Sequence, residues 1–155
     1  LLAAGIGQRG ISSGDTGVER GNIQIWDAET GKLRTTLRGQ RGAITALAFS
    51  PNDKWLVSGS IDGTVQYWDR ATLRPLATAI AGPDGRWIVL GEGGFYAASD
   101  NAQDAINVVR GTAVASGPAV TKILARPDLI ELLLKGENAK YQDAVKKLDL
   151  QPVAP

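Results

Sequence analysis

A chain of 155 residues has room for one domain, and a hydrophobic content of 43% is ordinary for a globular one. Without Cys or His it can form no disulfide, thiol nucleophile, zinc–thiolate centre or Ser-His-Asp triad, so most hydrolytic constellations are excluded. The net charge of +1 is balanced locally, with 11 basic and 11 acidic groups over residues 1–111 and 6 and 5 over 112–155, so nucleic acid is not expected as a main partner.

The first segment, Leu1-Leu2-Ala3-Ala4-Gly5, reads as a strand and is too short and uncharged for a secretory leader or membrane span. No Met occurs, even at position 1, which fits a piece of a longer chain; a cytoplasmic location without membrane attachment is expected. Gly7 to Gly21 is rich in Gly and Ser and reads as a loop. Ile23-Gln24-Ile25-Trp26 alternates with strand spacing and ends on Asp27. A turn over Asp27–Lys32 and an outer strand over Leu33–Leu37 follow.

The next unit repeats this plan in full from about Gly39 to Ile80. Ala43–Phe49 is predicted as an inner strand, and Ser50-Pro51-Asn52-Asp53-Lys54 as a turn. Trp55–Ser60 is a second strand, Ile61-Asp62-Gly63-Thr64 a tight hairpin turn, and Val65-Gln66-Tyr67-Trp68 a third strand ending on Asp69. Pro75–Ile80 is a fourth strand, at an outer edge where a missing amide donor is tolerated. The Trp26-Asp27 and Trp68-Asp69 pairs stand 42 residues apart. Leu2-Ala3-Ala4-Gly5 matches Leu56-Val57-Ser58-Gly59, so the chain begins at the second strand of its first unit, and Arg20 stands at the place of Asp62.

A third, degenerate unit starts where Pro83-Asp84-Gly85-Arg86-Trp87 echoes Pro51 to Trp55. Strands are expected over Arg86–Leu90, Phe95–Ser99 and Ile106–Val109, with Gly91-Glu92-Gly93-Gly94 as the first turn. That turn has no following Lys-Ser/Thr and is not a phosphate loop. Beyond a linker at 112–118, helices are expected over Ala119–Leu124, Pro127–Lys135 and Ala139–Leu148. The organisation is thus 1–111, linker 112–118, a helical segment 119–150 and a tail 151–155.

From Leu37 through Asp69 the residues resemble a WD40 repeat, whose period in the low forties closes a strand on Trp-Asp. The resemblance implies an all-β fold: a partial WD40 β-propeller with an incomplete first blade, one full blade, one degenerate blade and a short α-helical C-terminal appendage. In that family a His, a Ser or Thr, an Asp and the Trp form a hydrogen-bonded tetrad. Ser58, Asp62 and Trp68 match it, Trp26 is the equivalent indole of the first blade, and Gln40 replaces the His. An amide carries no charge to set opposite Asp62, so a weaker lock is expected. The stretch from Gly85 to Leu129 also resembles the C-terminal end of bacterial WD-repeat proteins, some of which carry caspase-like effector domains. Ala28-Glu29-Thr30-Gly31-Lys32 resembles, more loosely, the blades of quinoprotein dehydrogenases.

These resemblances imply a non-catalytic scaffold for a protein or peptide, with no catalytic residue, cofactor or metal. An enzyme's propeller, or the regulatory arm of a larger effector, is the alternative. The Gly7–Gly21 insertion together with Arg20, Gln40, Arg41 and Ile61 forms the candidate partner-binding face, since these positions should share one end of the blades. Against this stand plainer readings: a Gly/Ser surface loop, packed indoles, and a turn carboxylate at Asp62 rather than a catalytic acid. Residues 1–155 alone, with an unpaired apolar strand at Leu1–Gly5, are expected to self-associate, which sedimentation at several concentrations would register.

Overall fold

Two small antiparallel sheets with the same register carry the repeat. The structure, a computed structural model, describes residues 1–8, 20–105, 107–110, 113–116 and 123–148. The first sheet runs β1 (Leu2–Gln8), β2 (Arg20–Trp26) and β3 (Leu33–Arg38) in that order. The second blade follows as β4 (Ile44–Phe49), β5 (Trp55–Ser60), β6 (Thr64–Asp69) and β7 (Pro75–Ala81), each antiparallel to the next. Leu2 faces Trp26 as Leu56 faces Trp68, and Trp26 faces Leu33 as Trp68 faces Pro75. A register shift precedes each indole, between Ile25 and Trp26 and between Tyr67 and Trp68. The two tryptophans therefore occupy equivalent places in separate sheets.

Period-2 alternation decides which side chains meet between these sheets. Ile23, Ile25 and Leu37 from the first blade form one core with Leu56 and Trp68 from the second, and Ile44, Leu47 and Phe49 of the inner strand pack against it. Burying each large apolar group contributes about 1.5–3 kcal/mol. An exposed ion pair such as Arg70–Asp53 contributes at most about 1 kcal/mol. Apolar packing is what holds the blades together.

The Gly7–Gly21 insertion is shorter than its composition suggests. Gly7 pairs with Gly21 and Gln8 with Arg20, so both ends of the expected loop are strand. Continued pairing satisfies backbone groups that a loop would leave to water. Arg20 consequently starts β2 instead of sitting in a hairpin turn, and residues 9–19 lie outside the described residues.

Contacts group Leu1–Ile80 as one compact unit and Ala81–Pro155 as another. In the latter, β8 (Trp87–Gly91) pairs with β9 (Tyr96–Ala98) across a 3-10 turn at Glu92–Gly94, where Gly93 and Gly94 have φ of 80° and 82°. The third strand of the degenerate repeat departs from expectation. β10 (Asn107–Arg110) pairs with β11 (Ala113–Ser116) in a separate two-stranded sheet. Part of the anticipated linker is therefore a strand. Val108, Val109 and Val114 give both runs β propensity, and partner choice between short strands is a non-local matter that periodicity leaves open.

Helices α1 (Pro127–Leu134) and α2 (Asn138–Lys147) follow, with Pro127 at the start of the first and Gly136 (φ 66°) after it. Leu129, Ile130, Leu133 and Tyr141 are buried, as are Phe95 and Tyr96. A Cβ on Gly91 would fall 2.6 Å from Ile130 Cδ1, and the Tyr141 hydroxyl donates to the Glu92 carbonyl. The helices are thus packed on the β8–β9 hairpin, sharing its core. The expected helix at Ala119–Leu124 falls mostly outside the described residues, although Ile123 and Leu124 are helical, and the tail 151–155 lies wholly outside them. Among the described residues no helix is long and apolar enough to cross a membrane.

Candidate functional site

Behind the turn at Ile61–Gly63 runs a chain of hydrogen bonds that crosses the blade. Ser58, fully buried on β5, accepts from Trp68 Nε1 at 2.9 Å and donates to Gln40 Oε1 at 2.6 Å. Gln40 Nε2 donates to Thr64 Oγ1 at 3.0 Å, to the Thr64 carbonyl at 3.1 Å and to the Ser58 carbonyl at 3.3 Å. The Thr64 hydroxyl donates to Asp62 Oδ1 at 2.6 Å, and Asp62 Oδ2 accepts from the amides of Arg41 at 2.6 Å and Gly42 at 3.2 Å.

Gln40 therefore meets Asp62 only through Thr64, a residue that sequence reasoning passed over. Its signal was the Asp62-x-Thr64 spacing, in which a carboxylate accepts from an amide and hydroxyl two residues on. The amide serves here as acceptor at one end and donor at the other, a task that needs no charge. Trp26 stands outside this network. Ala4, opposite Gln24, takes the place that Ser58 holds opposite Gln66 and has no hydroxyl to offer.

The aspartates of the Trp-Asp pairs have a different task, also unanticipated. Asp27 Oδ1 accepts from the Thr30 amide at 2.9 Å and the Thr30 hydroxyl at 3.0 Å. Asp69 Oδ1 accepts from the Thr72 amide at 2.7 Å and hydroxyl at 2.8 Å. Both cap the turn into the fourth strand, where Gly31 (φ 65°) and Leu73 (φ 58°) occupy the same left-handed position. The Ala28–Lys32 segment that resembled a quinoprotein pattern is one copy of this Trp-Asp-x-x-Thr turn. For Asp27, bonds from the Thr30 amide and then its hydroxyl draw the carboxyl below its ordinary range.

Burial is the largest single influence on Asp62 and disfavours its charge. The bonds from the Thr64 hydroxyl and amide and from the Arg41 and Gly42 amides together outweigh it, lowering the pKa to about 2. A depressed carboxylate contributes stability that is present above its unfolded pKa and lost as pH falls through the folded one. Stability from Asp62 should accordingly be constant above about pH 5 and decline between the model-compound 3.8 and about 2. Urea melts of the wild type and Asp62→Asn should differ at pH 6 and converge near pH 2. A gap that stays constant with pH would remove the carboxylate from this role.

The same bonds bring two candidate residues together at one end of the blade. Arg41 is exposed and tied through its backbone to Asp62, and Ile61 is 60% exposed. A Cβ on Gly42 would lie 2.6 Å from Ile61 Cγ1 and 2.7 Å from the Asp62 nitrogen, so these two loops touch. Gln40 differs from expectation: at 5% exposure, with its amide engaged on both sides, it supports the surface and is not available to a partner. The backbone of Arg20 belongs to the β1–β2 ladder.

Repeated sheets in one register, each closed by Trp-Asp, define blades of a WD40 β-propeller. Residues 31–69 match the family model described as "WD domain, G-beta repeat". The chain belongs to the WD40-repeat family. It is 45% identical over 51 residues to the Periodic tryptophan protein 2 homolog of Neurospora crassa, which covers 33% of this chain and 6% of that protein. It is 34% identical over 116 residues to the Ribosome biogenesis protein ERB1 of Coccidioides immitis, covering 71% of this chain and 12% of the relative. The chain thus spans only a small part of these relatives. Among solved structures, a chain of the "Crystal Structure of Mitotic Checkpoint Complex" is similar at 16% identity and a TM-score of 0.34, over 65% of this chain and 35% of that one.

Proposed function

We propose that this chain forms part of a WD40 propeller that acts as a non-catalytic protein–protein interaction scaffold. A protein or peptide partner docks at the end carrying Arg41 and Ile61. The observation that carries the reading is the exposed Arg41 and Ile61, held by Asp62 on a turn whose rear is locked to Ser58 and Trp68. Pre-ordered loops bind with little ordering cost, and Arg beside an exposed aliphatic group is a common interface anchor. That one relative is a ribosome biogenesis protein is in keeping with work inside assemblies.

Affinity capture with the intact protein tests this. Partners retained by the wild type should be lost from an Arg41→Glu/Ile61→Asp variant whose thermal melt is unchanged. Retention of the same partners would move the interface elsewhere. Quinone-dependent dye reduction by the intact protein would overturn the non-catalytic reading.

A further inference from the structure

A groove of about 470 Å³ lies between the two blades. One wall is β3 along most of its length, and the other is the turn from Ala71 into Pro75. Leu37 and Trp68, both buried, and half-buried Leu73 lie deepest, while Arg34, Arg38 and Arg74 are exposed around them. No acidic residue lines the groove, and among the described residues none of the three arginines is held in an ion pair. In a chain whose net charge is only +1, three uncompensated guanidinium groups around one apolar cleft are a local concentration of positive charge.

We infer that this inter-blade groove docks an extended acidic peptide segment of a partner protein, its carboxylates over Arg34, Arg38 and Arg74. β3 ends its sheet, with β2 as its single neighbour, so its outer backbone edge can bond an added strand. Arg34 and Arg38 lie four residues apart on β3, about 13 Å along a strand, a span that an extended peptide of similar length can follow. Guanidinium groups favour carboxylates through paired hydrogen bonds. Half-buried Leu73 offers apolar contact to the intervening side chains. Single-stranded RNA fits less well: Trp68 is 2% exposed and gives no stacking platform, and three charges are few for a phosphate backbone. This site is separate from the Arg41–Ile61 surface and stands or falls on its own.

The test uses the full-length protein and a fluorescent peptide of about six residues, the length of β3, alternating Glu and Val. Anisotropy should show binding that weakens with added salt, and replacing Glu by Gln should weaken it by about tenfold or more. Arg38→Glu/Arg74→Glu should cost at least about tenfold, whereas Lys140→Glu, an exposed residue outside the groove lining, should leave affinity unchanged. The substituted side chains are exposed, and an unaltered melting curve confirms that the fold is kept. No binding of the Glu peptide, equal binding of the Gln peptide, or equal loss in Lys140→Glu would each overturn the proposal. So would oligouridine binding tighter than the peptide with the same dependence on Arg38 and Arg74.

Discussion

Ser58→Ala is expected to destabilise the chain by about 2–4 kcal/mol, a large effect for the loss of one oxygen atom. The hydroxyl is fully buried and works in both directions, accepting from Trp68 Nε1 and donating to Gln40 Oε1. Its removal leaves a buried indole donor and a buried amide acceptor without those partners. Each orphaned group costs about 1–3 kcal/mol, whereas the vacated volume is too small to matter much. Adding Gln40→Leu to Ser58→Ala should deepen the loss, because the Nε2 donor to the Thr64 hydroxyl and carbonyl goes with it. Urea unfolding followed by tryptophan fluorescence measures both; a loss below about 1 kcal/mol for Ser58→Ala would show that the network is ornamental. Ala4 at the equivalent place in the first blade does not predict tolerance here, since Trp26 is only half-buried while Trp68 is 2% exposed.

Gly21→Ala should be at least as damaging, at about 3 kcal/mol. A Cβ at Gly21 would sit 2.1 Å from the Gly42 carbonyl oxygen and 2.7 Å from Ile44 Cδ1. A side chain can rotate out of such a clash, but a backbone carbonyl in a packed interface cannot, so the two blades must separate locally. Gly59→Ala is the matched control, because its Cβ would meet Ala46 Cβ at an ordinary 3.6 Å. That variant should stay within about 1 kcal/mol of the wild type. Similar urea midpoints for Gly21→Ala and Gly59→Ala would disprove the close approach.

The repeat pattern marks Ser58 along the chain, whereas the importance of Gly21 is invisible there. The strands of the second blade, its turns, and the start of α1 could be read from the residues alone. Trp55–Ser60 alternates with period 2, Gly63 supplies the left-handed turn residue at φ 83°, and Pro127 begins a helix without needing its missing amide. Each of these rests on interactions within a few residues, so short windows of sequence contain the information. The Trp26 and Trp68 equivalence could be read for the same reason, since a repeat writes one local pattern twice.

What tertiary structure alone decided involves partners far apart in the chain. Thr64 reaches Gln40 across 24 residues, and Asp62 reaches Arg41 across 21. Val108 chooses Ala115 over β9, the β1–β2 hairpin runs on to Gln8 and Arg20, and Gly21 abuts Gly42. Arg34, Arg38 and Arg74 are also unrelated in sequence pattern and gather only because two blades pack side by side. Hydrophobic alternation specifies which face of a strand is buried, but apolar attraction is non-directional and does not specify its neighbour. Close packing and the requirement that each buried polar atom find a partner made those choices.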